Sequence, residues 1–206
     1  MSASQPAKET TPKTRRGQAS RERLVEAAVQ SVVDHGIHQM RLDEVLTSAG
    51  SSKSQMYHYF SDRDALVEAA VAHRCDEFLG QLGPAFESVS ALSDLKTLLR
   101  AFAAEYAREL KGCPIGTLAG ELSSGPEPAR QLVVEAFAAW ENHLERALQR
   151  IKAAGELRAD ADTGHLALGL LTALEGGMFL SQVRNDPTPL EVALDGALDR
   201  LASLRE

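Results

Sequence analysis

The sequence predicts an all-α protein, with an N-terminal three-helix helix-turn-helix head followed by a larger helical domain. Apolar residues recur at three- and four-residue spacing, the period of one helix face, along most of the chain. Breakers punctuate these runs at Gly83-Pro84, Gly112 with Pro114, Gly125-Pro126 with Pro128, Gly155, and Pro187 with Pro189. Alternation of strand type is absent. The expected organisation is a flexible basic tail over 1–17, a head over 18–63, and a second domain over 64–206.

The tail is rich in Ser, Thr, Pro, Lys and Gln, a composition that leaves too little apolar surface to order a chain. Two readings stay open for it: a solvated segment, or an arm that folds into a minor groove on binding. Ser20 is read as the cap of a first helix to His35, with Leu24, Ala27, Ala28, Ser31 and Val32 on one stripe and Gly36 as its stop.

The stretch from Arg41 to Phe60, RLDEVLTSAGSSKSQMYHYF, is the most informative. Leu42, Val45, Leu46 and Ala49 share the buried face of a short helix, and Gly50 suits the sharp bend after it because it can take a positive φ without a Cβ clash. Ser52 with Gln55 forms a capping box, so a second helix starts there. Met56 and Phe60 anchor that helix at four-residue spacing. The remaining positions, Lys53, Ser54, Gln55, Tyr57, His58 and Tyr59, are read as an exposed contact surface of one cation, hydrogen-bonding side chains and two phenols. A helix start favours anions, Lys53 and the phenols extend the grip to neighbouring phosphates, and Gln55 matches the N6 and N7 edge of adenine. A recognition helix in a DNA major groove asks for this geometry.

These residues resemble the TetR/AcrR-type transcriptional repressors. The matching positions are Ala49, Gly50, Ser52, Lys53, Met56, Tyr57, His58, Tyr59, Phe60, Asp64, Ala65 and Leu66, within a likeness that runs from about Ser20 to Val71. The family has Thr near Met40, a small residue at Leu46 and an apolar one at Ser51, so this chain departs there. The resemblance implies that Ser52, Lys53, Gln55, Tyr57, His58 and Tyr59 touch double-stranded DNA at a palindromic operator. Arg41, Ser51 and Ser54 join them as candidate contacts. Ser61 with Asp64 is expected to open a connecting helix through Leu66, Val67, Ala70 and Val71 toward Phe78.

The formal net charge of −7 looks wrong for a DNA binder until it is divided. Residues 1–63 carry nine Lys/Arg against seven Asp/Glu, and the rest of the chain thirteen against twenty-two. Phosphate affinity depends on where cations stand and not on the total. No run of about 18 apolar residues is read as crossing a bilayer, and the polar N-terminus lacks an export signal, so a cytoplasmic location is expected. Cys75 and Cys113 offer neither a disulfide framework nor a zinc pattern and are read as buried small hydrophobes. His143 and His165 lack the partners of a metal site. No nucleophile with a base, metal cluster or paired carboxylates points to an enzyme, and no cofactor is expected.

Beyond Gly83, helices are expected near 84–89, 93–111, 115–123, 128–154, 161–184 and 189–204. In the last two, Leu166, Leu170, Leu174 and Met178 line one face and Leu194, Leu198 and Leu201 another, with Gly169, Gly176 and Gly177 permitting close approach. These faces are expected to form a homodimeric four-helix bundle, since a helix-turn-helix reads two half-sites only as a dimer. The middle helices offer a candidate small-molecule pocket in Phe102, Tyr106, Cys113, Ile115, Leu118, Phe137, Trp140 and His143, which mix aromatic surface with polar tips. The segment Gly112-Cys113-Pro114-Ile115-Gly116-Thr117-Leu118 resembles the LmrA/YxaF-type subgroup, which implies an aromatic or drug-like inducer. The expected function is a ligand-released DNA-binding repressor. A small-molecule sensor or carrier without specific DNA binding is the alternative, and it leaves the Lys53/Tyr57/Tyr59 surface without a purpose.

Overall fold

Thr14 sets the start of the first helix: its backbone is extended and its hydroxyl accepts the Gly17 N–H at 3.1 Å. The computed structural model describes residue 12 and residues 14–122 and 127–205. Among them are the helices α1 (Arg15–His35), α2 (Leu42–Ser48), α3 (Lys53–Tyr59), α4 (Arg63–Glu87), α5 (Leu92–Tyr106), α6 (Pro114–Leu122), α7 (Glu127–Ala153), α8 (Thr163–Arg184) and α9 (Thr188–Ala202). The expected all-α fold is therefore what forms, and the described residues contain no strand. Most of the 1–17 tail and the Gly125-Pro126 break lie outside the described residues.

Several helix limits differ from expectation for identifiable reasons. Ser20 does not cap α1, because it lies inside the helix and is buried; Thr14 takes that role. Asp62 rather than Ser61 caps α4, its Oδ1 accepting the Ala65 N–H at 2.8 Å. Gly83-Pro84 does not stop α4, although the ring removes one ladder bond. Gly83 lets α4 lie close to α7, since a Cβ there would stand 3.3 Å from the His143 ring. The Arg150 guanidinium then donates to the Phe86 and Val89 carbonyls, at 2.5 and 2.8 Å, and holds the far end of the helix. α5 ends at Tyr106, short of the expected 111, and the left-handed Leu110 (φ +50°) and Gly112 (φ +80°) keep helix from continuing through that stretch.

The chain divides into two units, Met1–Asp76 with Leu118–Val133, and Glu77–Thr117 with Val134–Glu206. Helices α4, α6 and α7 each run from one unit into the other. In the first, Leu24, Ala28, Val32, Val45, Leu46, Met56, Phe60 and Leu66 are buried, as the spacing of α1 to α4 requires. Arg23 donates to the Ala49 carbonyl at 3.4 Å and Arg63 to the Ile37 and Met40 carbonyls at 2.6 and 3.2 Å, so two cations close the backbone that links the helices. Gly50 takes φ +58° at the turn after α2. Met40 and Leu46, two of the positions where the family pattern differs, are simply buried. At the end of α1, Gly36 has φ +83°, and the Ile37 N–H donates to the Glu121 carboxylate of α6 at 2.5 Å.

In the second unit, α8 and α9 form an antiparallel hairpin around a left-handed Asn185. The buried Ser181 hydroxyl accepts the Leu190 N–H at 3.1 Å, satisfying a donor at the start of α9. Gly177 sets how close the two helices come, because a Cβ there would stand 2.8 Å from Leu190 Cα. That neighbour is backbone and cannot swing aside. Gly177→Ala is therefore expected to cost about 1–3 kcal/mol and to lower the melting temperature; an unchanged thermal melt would show that the hairpin tolerates wider spacing. Arg100 of α5 pairs with Asp195 of α9 across the same unit.

Candidate functional site

The first part of the site is the outward side of α3. Ser52 Oγ accepts the Gln55 N–H at 3.2 Å, and Gln55 Oε1 accepts the Ser52 N–H at 2.9 Å, so the expected capping box is formed. Ser51, half-buried, donates through Oγ to the same Gln55 oxygen at 3.2 Å. This bears on base recognition. Bidentate pairing with adenine needs both ends of the Gln55 amide, and its oxygen already accepts two hydrogens. Lys53, Ser54, Gln55, Tyr57 and His58 are exposed together, while Met56 and Phe60 are buried beneath them. Arg41 is exposed and paired with Glu44 at 3.1 Å. Tyr59 is a correction: its ring is buried, edge-on to His58 at 5.0 Å, with its hydroxyl toward Gly17 of α1, so it supports the helix instead of standing on the contact surface. Position 59 follows Met56 by three residues, the spacing of the buried face, which was the available signal.

The second part is a cavity of about 290 Å³ in the second unit, lined by Phe78, Phe102, Tyr106, Pro114 and Met178, with Glu105, Glu109 and Lys111 at its polar side. Of the eight expected ligand contacts, Phe102 and Tyr106 line it. Cys113, Ile115, Leu118 and Trp140 are fully packed side chains, so the structure corrects their assignment as lining residues. Phe137 stacks on Trp140 with centroids 6.5 Å apart, and His143 lies against Gly83. Phe78, Pro114 and Met178 were missed, because a cavity is assembled from helices distant in sequence. The Tyr106 hydroxyl donates to the Met178 carbonyl at 2.7 Å, and burial raises its pKa. Burial likewise pushes the Cys75 thiol up to about 11 and the Cys113 thiol upward, so neither is a ready thiolate.

The third part is a surface on α8 and α9. Leu170, Leu174, Met178, Leu194 and Leu201 are each 2% exposed or less, packed inside their own chain, which corrects their assignment to a dimer interface. Leu166 and Leu198 are half-buried. The exposed apolar residues fall on the other side of α8: Leu168, Phe179, Leu180 and Val183, at 49, 63, 44 and 67% exposure, with Val192 of α9 at 64%. Among the described residues, nothing would stand within 4 Å of a Cβ on Gly169, Gly176 or Gly196, so packing against those residues does not require glycine there. Among the described residues, α8 alone is long and apolar enough to cross a membrane. Its composition follows from having two apolar faces, one packed on α9 and one open.

An exposed, capped second helix after a glycine turn, anchored from beneath by Met56 and Phe60, defines a helix-turn-helix DNA-binding protein. The model of bacterial regulatory proteins of the tetR family matches residues 24–70, and that of the tetracyclin repressor-like C-terminal domain matches 91–197. The second alone spans more than half of the chain, and the chain belongs to the TetR family of transcriptional regulators. Among its relatives are the transcriptional regulator AcuR of Cereibacter sphaeroides, 27% identical over 175 residues covering 81% of this chain and 78% of that one, and the HTH-type transcriptional regulator YxaF of Bacillus subtilis, 28% identical over 176 residues covering 83% and 89%. The crystal structure of a TetR-family regulator from Cytophaga hutchinsonii shares the fold, with a TM-score of 0.81 at 16% identity over 94% of this chain and 98% of that one.

Proposed function

We propose that this regulator is a homodimeric repressor that a small aromatic ligand releases from a palindromic operator. Lys53, Ser54, Tyr57 and His58 hold phosphates and base edges from α3, with Ser51, Ser52 and Arg41 beside them. Gln55 contributes its N–H₂ group, or its full amide once the capping box opens. Arg41 exchanges Glu44 for a phosphate. The two copies meet through Leu168, Phe179, Leu180, Val183 and Val192, exposed apolar side chains that would otherwise stay in water, and Gly169, Gly176 and Gly196 let the backbones approach.

The observation that carries the ligand-released reading is α6. Its first residue, Pro114, lines the cavity, and one residue before its end Glu121 accepts the Ile37 N–H just past α1. One helix thus touches the cavity at its start and the head near its finish. A ligand that shifts α6, together with α4, alters how the two α3 helices are held. A tenfold loss of occupancy needs only about 1.4 kcal/mol of preference for the non-binding state.

Gel shifts on the chain's own upstream DNA, with and without a panel of aromatic compounds, test the reading; DNA retention that no compound alters would leave a constitutive regulator. Glu121→Ala is expected to keep operator binding within about threefold while reducing the ligand's effect to less than about twofold. Full ligand response in that variant would remove α6 from the mechanism.

A further inference from the structure

We propose that the ligand is an aromatic cation, a ring system carrying a protonated nitrogen, and that Glu175 is the residue that selects it. This rests on the ligand-released reading above. Glu175 lies on α8 three residues before Met178, which lines the cavity. Its side chain reaches the first turn of α6, where a Cβ on Gly116 would stand 2.5 Å from Glu175 Oε2, and where the Cys113 thiol hydrogen-bonds to it. Gly116 is therefore what leaves room for the carboxylate. Cys113 itself sits between Gly112 and Pro114, both cavity-lining residues. Glu175 also acts electrostatically on Tyr106, which lines the cavity from α5.

One carboxylate oxygen has no counterpart. Glu175 Oε1 is buried and, among the described residues, accepts no hydrogen bond, a condition that costs free energy in a folded chain. Burial raises the carboxyl pKa, and its one hydrogen-bonding neighbour is a thiol, a weak donor. A neutral hydroxyl would satisfy the oxygen and leave the charge buried without a partner. A protonated nitrogen answers both, through a charge-assisted hydrogen bond about twice as strong as a neutral one. The aromatic walls of Phe78, Phe102 and Tyr106 favour a cation further. At the polar side Glu105 pairs with Arg108 at 2.9 Å and Glu109 with Lys111 at 2.8 Å, so the lining carboxylates are already matched; Glu175, outside the lining but beside Cys113 and Gly116, is the unmatched one. A second unmatched polar atom, Trp140 Nε1, lies behind Phe78, whose ring meets the indole edge-on at 5.0 Å.

Titration calorimetry on the full chain with three probes that share one bicyclic ring, 2-naphthylmethylammonium, 2-naphthylmethanol and 2-naphthoate, tests the assignment. The ammonium is expected to bind at least about tenfold more tightly than the alcohol, and the naphthoate most weakly. Glu175→Gln is expected to erase the ammonium margin while leaving alcohol affinity within about twofold. The ammonium-to-alcohol ratio in the unaltered protein needs no variant to fold. Equal binding of ammonium and alcohol, a preference for naphthoate, or a margin that survives Glu175→Gln overturns the inference while the ligand-released reading stands. Binding of none of the three also overturns the inference, whereas the ligand-released reading falls only if no compound of the wider panel alters DNA retention.

Discussion

Replacing Lys53 and Tyr57 together by alanine is expected to lower operator affinity at least about a hundredfold while leaving the melting temperature unchanged. Each lost phosphate or base contact is worth about 1–3 kcal/mol, and the four lost across two half-sites, about 4 kcal/mol or more, exceed the roughly 2.7 kcal/mol that a hundredfold represents. Both side chains are exposed, Tyr57 at 50%, and neither anchors the helix, which Met56 and Phe60 hold from beneath. The capping box of Ser52 and Gln55 stays intact, so the helix still forms. Lys53→Ala alone should also flatten the dependence of binding on salt by about one counterion per half-site. Fluorescence anisotropy on the chain's own upstream DNA across a salt series reads both effects. Undiminished affinity in the double variant would place the DNA contacts elsewhere and revive the reading of the chain as a carrier.

A comparable loss is expected from the opposite end of the chain, at residues that touch no DNA. Phe179→Glu with Val183→Glu puts two carboxylates on the open face of α8, where both side chains are more than 60% exposed in the single chain. The fold of one copy should survive, because that face does not pack on α9. Across a two-fold axis the four introduced charges would be desolvated against one another, costing several kcal/mol. Sedimentation at micromolar concentration should then show a monomer, and operator affinity should fall about a hundredfold or more, since one head reads one half-site. Leu174→Glu is the contrasting change: its side chain is fully buried within the chain, so it should unfold the α8–α9 hairpin instead of only separating copies. A dimer that persists with Phe179→Glu and Val183→Glu would mean that this surface has another use.

The comparison of these faces shows where periodicity stops informing. The apolar repeat in α8 marks Leu166, Leu170, Leu174 and Met178 as one stripe, and they are one stripe; three of the four face their own chain. A second stripe, Leu168, Thr172, Gly176, Phe179 and Val183, was equally present, and nothing in spacing says which of two apolar faces meets α9. The decision came from Gly177, where Leu190 passes too close for any side chain. Gly176 and Gly177 look alike in sequence. In the fold one is pressed against backbone and its neighbour is open.

What the residue order determined by itself was local: the helical fold, the glycine turn at Gly50, the Ser52–Gln55 box, and the division of α3 into an anchored and an exposed side. Those features arise from propensity, capping and period, which act over fewer than about five residues. Tertiary structure alone decided the rest. It withdrew Tyr59 from the surface, assembled the cavity from α4, α5, α6 and α8, set Glu175 against Gly116, and joined Glu121 to Ile37 across 84 positions. Contacts of that range depend on which helix faces meet, and helix–helix packing settles them only when all the faces compete at once.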